Sequence, residues 1–260
     1  MDIYQANRQA WDQAAASGTN PYAQAVTSAE VQAARRGQWS IWASDLTPVP
    51  RSWLPEVAGL DVLALAAGGG QQAPILAAAG ARVTLVDASP GQLAIDQLVA
   101  ERDGLELAIV EGDMADLSRF DDESFDLIIN PVSTLFVPDL RPVWAECART
   151  LRPGGELITG FMNPDEFVFD AEALDERGEF LVRYPLPYVE YETLSSEEVA
   201  ARRGVGAMFH FSHSMEAQLG GILAAGFGIT GFYEDRRPES DGNPIRLYQP
   251  SYYVVRAERR

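Results

Sequence analysis

Residues 68–70 are three consecutive glycines, set between the apolar run "DVLALAA" and the segment "QQAP". Glycine takes positive φ freely and lets backbone approach a ligand, but it costs roughly 0.5–1 kcal/mol of chain entropy where ordinary geometry would serve. Such a triplet at the end of an apolar run is expensive for a plain strand-to-helix turn, which is its bland reading. A second apolar run, "VTLVD", ends in Asp87, a carboxylate that can accept both hydroxyl protons of an unphosphorylated ribose. A third, "LELAIVEGD", ends in Asp113 beside Met114. There a carboxylate can accept from an exocyclic amine while an apolar side chain covers a purine ring. Singly, Asp87 and Asp113 read equally well as helix caps or solvated turn residues. At three successive run ends they outline one ligand site. The two histidines, His210 and His213, lie in "MFHFSHSMEAQ". His213 falls at a helix start, where the positive helix end favours the neutral imidazole that a general base requires. It reads also as a cap or packing residue. The H-x-x-H spacing has no third ligand beside it, so no metal site is expected.

These residues need elements to hold them. From residue 61 the chain alternates short apolar runs with helical patterns. "DVLALAA" precedes a helix "QQAPILAAAG", and "RVTLVDAS" precedes a helix that starts near Ser89. "LELAIVEGD" is a third strand and "FDLIINPVS" a fourth. "LRPVWAECARTLRPGG" is a helix and "GELITGFMN" a fifth strand. That order predicts a doubly wound parallel sheet of the α/β class. Residues 1 to about 45 read as helical, with Pro21 in a first turn and Gly37 at a helix end, and "LTPVPRSWLP" as an extended linker. Residues 163–211 break the alternation, and "RYPLPYVEYETL" predicts an antiparallel insert or lid. A helix "SHSMEAQLGGILAAG" and two strands, "ITGFYEDR" and "PSYYVVRAER", complete one domain over 1–260, with a cap at 1–50.

The chain has 260 residues and a formal net charge of −18. That field repels phosphate backbones and anionic lipid, so nucleic acid and membrane surfaces are not expected partners. No apolar run approaches the length of a membrane span and the first residues lack a signal-peptide pattern, which points to the cytoplasm. One cysteine, Cys147 in a helix, allows no internal disulfide. All 20 basic residues are arginine, which excludes a Schiff-base lysine, a P-loop lysine and the Tyr/Lys pair of many nicotinamide dehydrogenases.

The segments "VLALAAGGGQQ", "VTLVDASPGQL", "VEGDMADL", "FDLIINPVSTLFV" and "ARTLRPGGELI" resemble the core of the class I S-adenosylmethionine-dependent methyltransferases over residues 58–162. The resemblance implies a Rossmann-like methyltransferase sheet with terminal antiparallel strands. It also implies transfer of the sulfonium methyl of S-adenosylmethionine to an oxygen, nitrogen or carbon of a small-molecule acceptor. It places the cofactor at Ala67, Gly68, Gly69, Gly70, Gln72, Asp87, Ala88, Gly112, Asp113, Met114 and Asn130. The acceptor is expected between Asn130 and the insert, near Trp39, Tyr184, Tyr188 and His213, with the N-terminal cap closing above. Two positions depart from the family pattern: Ala64 and Ala66 stand where an acidic residue and a glycine are usual. "GGGQQA" also satisfies the loose dinucleotide pattern G-x-G-x-x-A. A nicotinamide-dependent oxidoreductase and a non-catalytic binding protein on the same fold therefore remain alternatives.

Overall fold

Along β1 (Asp61–Leu65) successive side chains go to opposite faces of a sheet, and both faces are covered. Val62 and Ala64 join one apolar layer; Leu63 and Leu65 join the other. A strand buried on both sides must be apolar throughout, which is why "VLAL" carries no alternation of polarity. In the computed structural model, which describes residues 2–204, 206–236 and 244–260, β1 is central to a seven-stranded sheet of order β3-β2-β1-β4-β5-β7-β6. Strands β2 (Arg82–Asp87), β3 (Leu107–Glu111), β4 (Phe125–Asn130) and β5 (Leu151–Met162) run parallel with it. β6 (Phe227–Asp235) and β7 (Tyr252–Arg259) are antiparallel additions beyond β5.

The N-terminal cap begins with helices α1 (Ile3–Ala16) and α2 (Ser28–Arg35). On one face of the sheet α3 (Gln72–Ala78) and α4 (Pro90–Asp103) pack with α2; the other face is covered by α5 (Arg141–Thr150) and by Ile222 near the C-terminal strands. The ends of α4 follow its sequence: Ser89 accepts the Gln92 amide at 3.1 Å, Pro90 opens the first turn, and Gly104 leaves at φ 63°. That combination of cap, proline and left-handed glycine fixes both boundaries.

Several elements differ from the sequence reading. The second cap helix does not run through from Pro21. Pro21–Ala23 is a single 3-10 turn, the chain then extends, and Thr27 starts α2 through a reciprocal capping box with Glu30. The proline-rich linker holds another 3-10 turn at Arg51–Trp53. Residues 44–47, leading into that linker, are tied to β6 by Asp235, which accepts from Ser44, Leu46 and Thr47. β5 starts at Leu151, before the "RPGG" turn. Register jumps from Phe125–Leu151 to Leu127–Glu156, so residues 152–155 bulge out of the ladder.

The insert is largely helical rather than antiparallel. It holds a 3-10 segment (Pro164–Val168), α6 (Ala171–Arg177), α7 (Glu190–Thr193) and α8 (Ser196–Gly204). Among the described residues its pairing is limited to the bridges Phe169–Val182 and Val189–Phe211. Asp170 caps α6 through the Ala173 amide at 2.8 Å, and the aromatic residues stack on one another instead of pairing across strands. The helix after the insert is a π-turn (Glu216–Gly220) leading into α9 (Gly221–Ala224), where the Trp144 indole donates to the Ala217 carbonyl.

Candidate functional site

The sheet order reverses direction at β1, between β2 and β4, and in open α/β sheets ligands bind outside the carboxyl ends of the strands at such a point. The glycine triplet leaves β1 there. Its amides are already engaged by carboxylates. Gly68 N–H donates to Asp87 Oδ2 at 2.9 Å, and Gly69 and Gly70 N–H both donate to Asp96 Oδ2, at 2.8 and 2.9 Å. Asp96 lies on α4, fully buried; burial pushes its carboxyl up to about 7 against the pull of the two glycine amides. A dinucleotide needs free N–H groups in this turn for its pyrophosphate. Here those groups meet negative side chains instead, which argues against the nicotinamide reading.

Asp87 faces the space above β2. Its Oδ1 accepts the Ser89 amide at 2.9 Å, and burial raises its carboxyl above the ordinary value, opposed by the amides of Ser89, Gly68 and Ala88. Asp113, beyond β3, accepts the Ala115 amide at 2.9 Å in a tight Asx turn, and the buried Met114 lies beside it with its sulfur 3.8 Å from the Ser133 hydroxyl. A cavity of about 1450 Å³ runs from these strand ends to the far side of β4. Ala67, Gly68, Gln72, Asp87, Ala88, Gly112, Asp113 and Met114 line its floor. Trp11, Tyr22, Trp39 and Trp42 from the cap, and Phe136, Met162, Met208 and His210 from the opposite side, form its walls. Pockets for single small ligands measure roughly 300–1000 Å³, so this space admits two molecules side by side.

The cap holds that space closed through side chains the sequence reading did not single out. Asn7 on α1 is buried and bridges two segments: its amide nitrogen donates to the carbonyls of Phe136 and Phe209, both at 3.0 Å, and its oxygen accepts the Phe209 amide at 2.7 Å. Asp12 Oδ1 accepts from the Ser89 hydroxyl and the Gly91 amide at the start of α4. Val26 N–H donates to the Gly70 carbonyl. Gly69 is at φ 115°, and a Cβ there would stand 2.1 Å from the Tyr22 carbonyl, so only glycine admits the cap this closely. The segment before the linker meets β5 the same way: a Cβ on Gly160 would lie 1.8 Å from the Ala43 carbonyl.

Residues 63–159 match the model of a methyltransferase domain family. The chain is 45% identical over 230 residues to a Bacillus subtilis protein named uncharacterized methyltransferase YbaJ, covering 88% of this chain and 89% of that one. It is 30% identical over 130 residues to the ubiquinone biosynthesis O-methyltransferase of Pseudomonas syringae pv. tomato, covering 48% of this chain and about half (56%) of that protein. The crystal structure of an S-adenosylmethionine-dependent methyltransferase from Mesorhizobium loti superposes with a TM-score of 0.60 at 20% identity, over 80% of this chain and 95% of that one.

The chain belongs to the class I S-adenosylmethionine-dependent methyltransferases.

Its cofactor is therefore S-adenosylmethionine; the floor of the cavity carries carboxylates at the ends of β2 and β3, a buried thioether beside the second, and space continuing towards β4. Not every residue expected at the site lines this methyltransferase's cavity. Gly69 and Gly70 turn their amides to Asp96 and shape the loop from behind. Asn130 is buried at the end of β4; it donates to the Leu65 carbonyl and the Ser133 hydroxyl and accepts from Thr159, so its amide joins β1, β4 and β5 rather than facing a ligand. Trp39 does line the cavity, with the Arg51 guanidinium 4.8 Å from its ring. Tyr184 and Tyr188 stack with Phe167 as a layer outside the lining. His213 also lies outside it. Its Nε2 is 3.0 Å from the Thr134 carbonyl and 2.9 Å from that of Val137, and burial holds its pKa below the ordinary value. Two carbonyls can only be satisfied by N–H on that nitrogen, so the imidazole is a packing donor, with no lone pair there to take a proton. His210, its neighbour in the motif, is the histidine at the cavity. At the two departures from the family pattern, Ala64 is wholly buried within β1, and Ala66 carries positive φ, 49°, where glycine is usual. Among the described residues no helix is long and apolar enough to cross a membrane.

Proposed function

We propose that this methyltransferase acts on a small, ring-bearing acceptor without net negative charge. The observation that carries the reading is the charge of the cavity wall. Among its described lining residues the sole basic side chain besides His210 is Arg8, which is bonded to Glu111 at 2.7 Å, whereas Glu30, Asp45, Asp87 and Asp113 are acidic. A phosphorylated or polycarboxylate acceptor would have no counter-charge there. The walls instead present Trp11 edge-on to Phe136, with ring centroids 5.3 Å apart. This geometry accepts the face or edge of a planar ring. The floor residues Asp87, Asp113 and Met114 hold the adenosine half of the cofactor. Asp45 answers the absence of a carboxylate at Ala64: it lines the cavity, accepts the hydroxyls of Tyr22 and Tyr252 at 2.9 and 2.8 Å, and holds a negative group for the cofactor's ammonium.

S-Adenosylmethionine supplies an activated methyl group when bound. The protein's contribution is to align donor and acceptor and exclude water, which the cap does by closing against the glycine loop and the loop after β4. The O-methyltransferase named among the relatives fits a hydroxyl acceptor in this space. The test is incubation of the protein with methyl-labelled S-adenosylmethionine and a metabolite extract, followed by separation of products by charge. Label in the neutral or cationic aromatic fraction is expected; label confined to phosphorylated or carboxylate-rich products would refute the reading.

A further inference from the structure

One pair of titratable groups at the cavity is not needed for holding the cofactor. Glu190, on α7, is almost wholly buried, and its Oε2 does two things at once. It accepts the backbone amide of His210 at 2.9 Å and stands 3.7 Å from the Nδ1 of the same histidine. The Glu190 amide in turn donates to the His210 carbonyl at 3.3 Å. Carboxylate and imidazole are thus locked together by main chain on both sides. The ring itself lines the cavity, between Phe136 (centroids 5.5 Å apart) and Phe167 (6.4 Å). Among the described residues nothing hydrogen-bonds its Nε2. Phe136 belongs to the segment that leaves β4, the direction in which the cavity extends beyond the cofactor floor.

We infer that His210 is the general base of the reaction, that Glu190 is its positioning residue, and that the acceptor loses a proton from a hydroxyl as it is methylated. A buried carboxylate beside Nδ1 keeps the proton on that nitrogen and leaves the Nε2 lone pair for the substrate, and it stabilises the imidazolium that follows. In the step itself the acceptor oxygen forms a bond to the methyl carbon while the carbon–sulfur bond breaks and its electron pair stays on sulfur. The hydroxyl proton passes to Nε2, and the imidazolium later returns it to solvent. Among the described residues the charged group facing His210 is Glu190; the rings of Phe136 and Phe167 lie tilted against it, and Tyr188 and then Tyr184 stack behind Phe167. The inference rests on the acceptor reading above and narrows it from any uncharged ring compound to one bearing an acidic hydroxyl.

The chain has two histidines, so ring-nitrogen NMR spectra separate them without an acceptor. With S-adenosylhomocysteine bound, His210 is expected as the Nδ1–H tautomer and His213 as the Nε2–H tautomer. Glu190→Gln should shift the tautomer balance of His210 towards Nε2–H and leave that of His213 in place. In label transfer from methyl-labelled S-adenosylmethionine to a metabolite extract, His210→Asn should lose 10²–10⁴-fold in rate with affinity for S-adenosylhomocysteine unchanged; Glu190→Gln should lose less, again with that affinity unchanged. An Nε2–H tautomer at His210 overturns the inference, as does parental transfer by His210→Asn, an equal loss of cofactor-analogue affinity, or a product methylated on nitrogen. If the parent binds S-adenosylhomocysteine but labels nothing in the extract, the acceptor reading itself fails, whatever the tautomer.

Discussion

Replacing Asp96 by asparagine should make the protein more stable at alkaline pH and leave it nearly unchanged at acid pH. The carboxylate is buried under the glycine loop. Its Oδ2 holds two amides, while Oδ1 has no hydrogen-bond partner among the described residues. One turn earlier on the same helix, Gln92 Oε1 is buried and likewise without a partner. Two acceptor oxygens with this spacing are satisfied together if Oδ1 carries a proton, which agrees with a carboxyl pushed up to about 7. The unfolded chain releases that proton near 3.9. A folded pKa above the unfolded one contributes stability below the unfolded value, and this stability is lost as pH rises through the folded pKa. At 1.36 kcal/mol per pH unit, the parent loses roughly 3 kcal/mol between pH 5 and 8.5 from this group. Asparagine keeps the oxygen under Gly69 and Gly70 and presents N–H where Oδ1 was, at every pH. Urea denaturation of both proteins at pH 5 and pH 8.5 cancels the titration of all other groups in the difference. The gap should open by roughly 3 kcal/mol in favour of the variant. A gap that stays constant with pH would mean that Gln92 turns its amide nitrogen to an ionised Asp96, and the protonated carboxyl would be refuted.

Asp87→Ala should weaken S-adenosylhomocysteine binding by about 100-fold or more, since two hydrogen bonds to a charged group are worth roughly 1.5–3 kcal/mol each. It should also destabilise the fold, because the Gly68 and Ser89 amides lose their acceptor; calorimetry and thermal melting read the two effects apart. Asp45→Asn should weaken S-adenosylhomocysteine by about tenfold or more while leaving 5′-methylthioadenosine, which lacks the amino-acid half, unaffected; equal losses on both ligands would mean that Asp45 acts only through Tyr22 and Tyr252. Asn7→Ala should cost about 1–3 kcal/mol and speed amide exchange across residues 3–16, leaving the sheet protected. Ala66→Gly should relieve a left-handed alanine that costs roughly 1–2 kcal/mol, offset in part by about 0.4–1 kcal/mol of unfolded-state entropy, so that the melting temperature rises slightly or holds.

The central sheet was legible because β1 and β4 are buried almost throughout and β2 largely so. Val62 to Leu65, Val83 to Asp87 and Leu127 to Asn130 need no alternation of polarity to be read as strands. The insert was not, since "RYPLPYVEYETL" has strand-forming composition while Asp170 and Ser195 supply local helix-start hydrogen bonds that composition does not display. At the site, strand-end residues could be placed by counting along runs, and Asp87 and Asp113 required nothing more. The histidines could not. His210 and His213 lie three positions apart in one motif, and which of them meets the cavity depends on which carbonyls and carboxylates the rest of the fold brings to them. Asp96 did leave a trace: in "LAIDQLVA" it shares a helical face with the buried Leu93, Val99 and Ala100. A lone acid on an apolar helix face predicts a buried partner, and here the partner is a backbone turn.

The glycine triplet is best understood as a joint between three bodies. From below, Asp96 and Asp87 hold its three amides. From above, the cap docks on its free surface. The Gly70 carbonyl takes the Val26 amide, the Tyr22 carbonyl fills the place of a side chain at Gly69, and Gln71 donates to the carbonyls of Pro21 and Gln24. In front, Gly68 borders the cofactor floor. With its N–H groups committed to carboxylates, the turn offers an anion nothing, which suits a cofactor with a positive sulfonium and no phosphate. Since the same turn carries the cap, a ligand that contacted Gly68 and Asp87 would stabilise the docked cap, and a docked cap would stabilise that ligand, as reciprocity requires of coupled equilibria. Side chains at positions 69 and 70 would therefore act first on cap closure, and on cofactor affinity only through it.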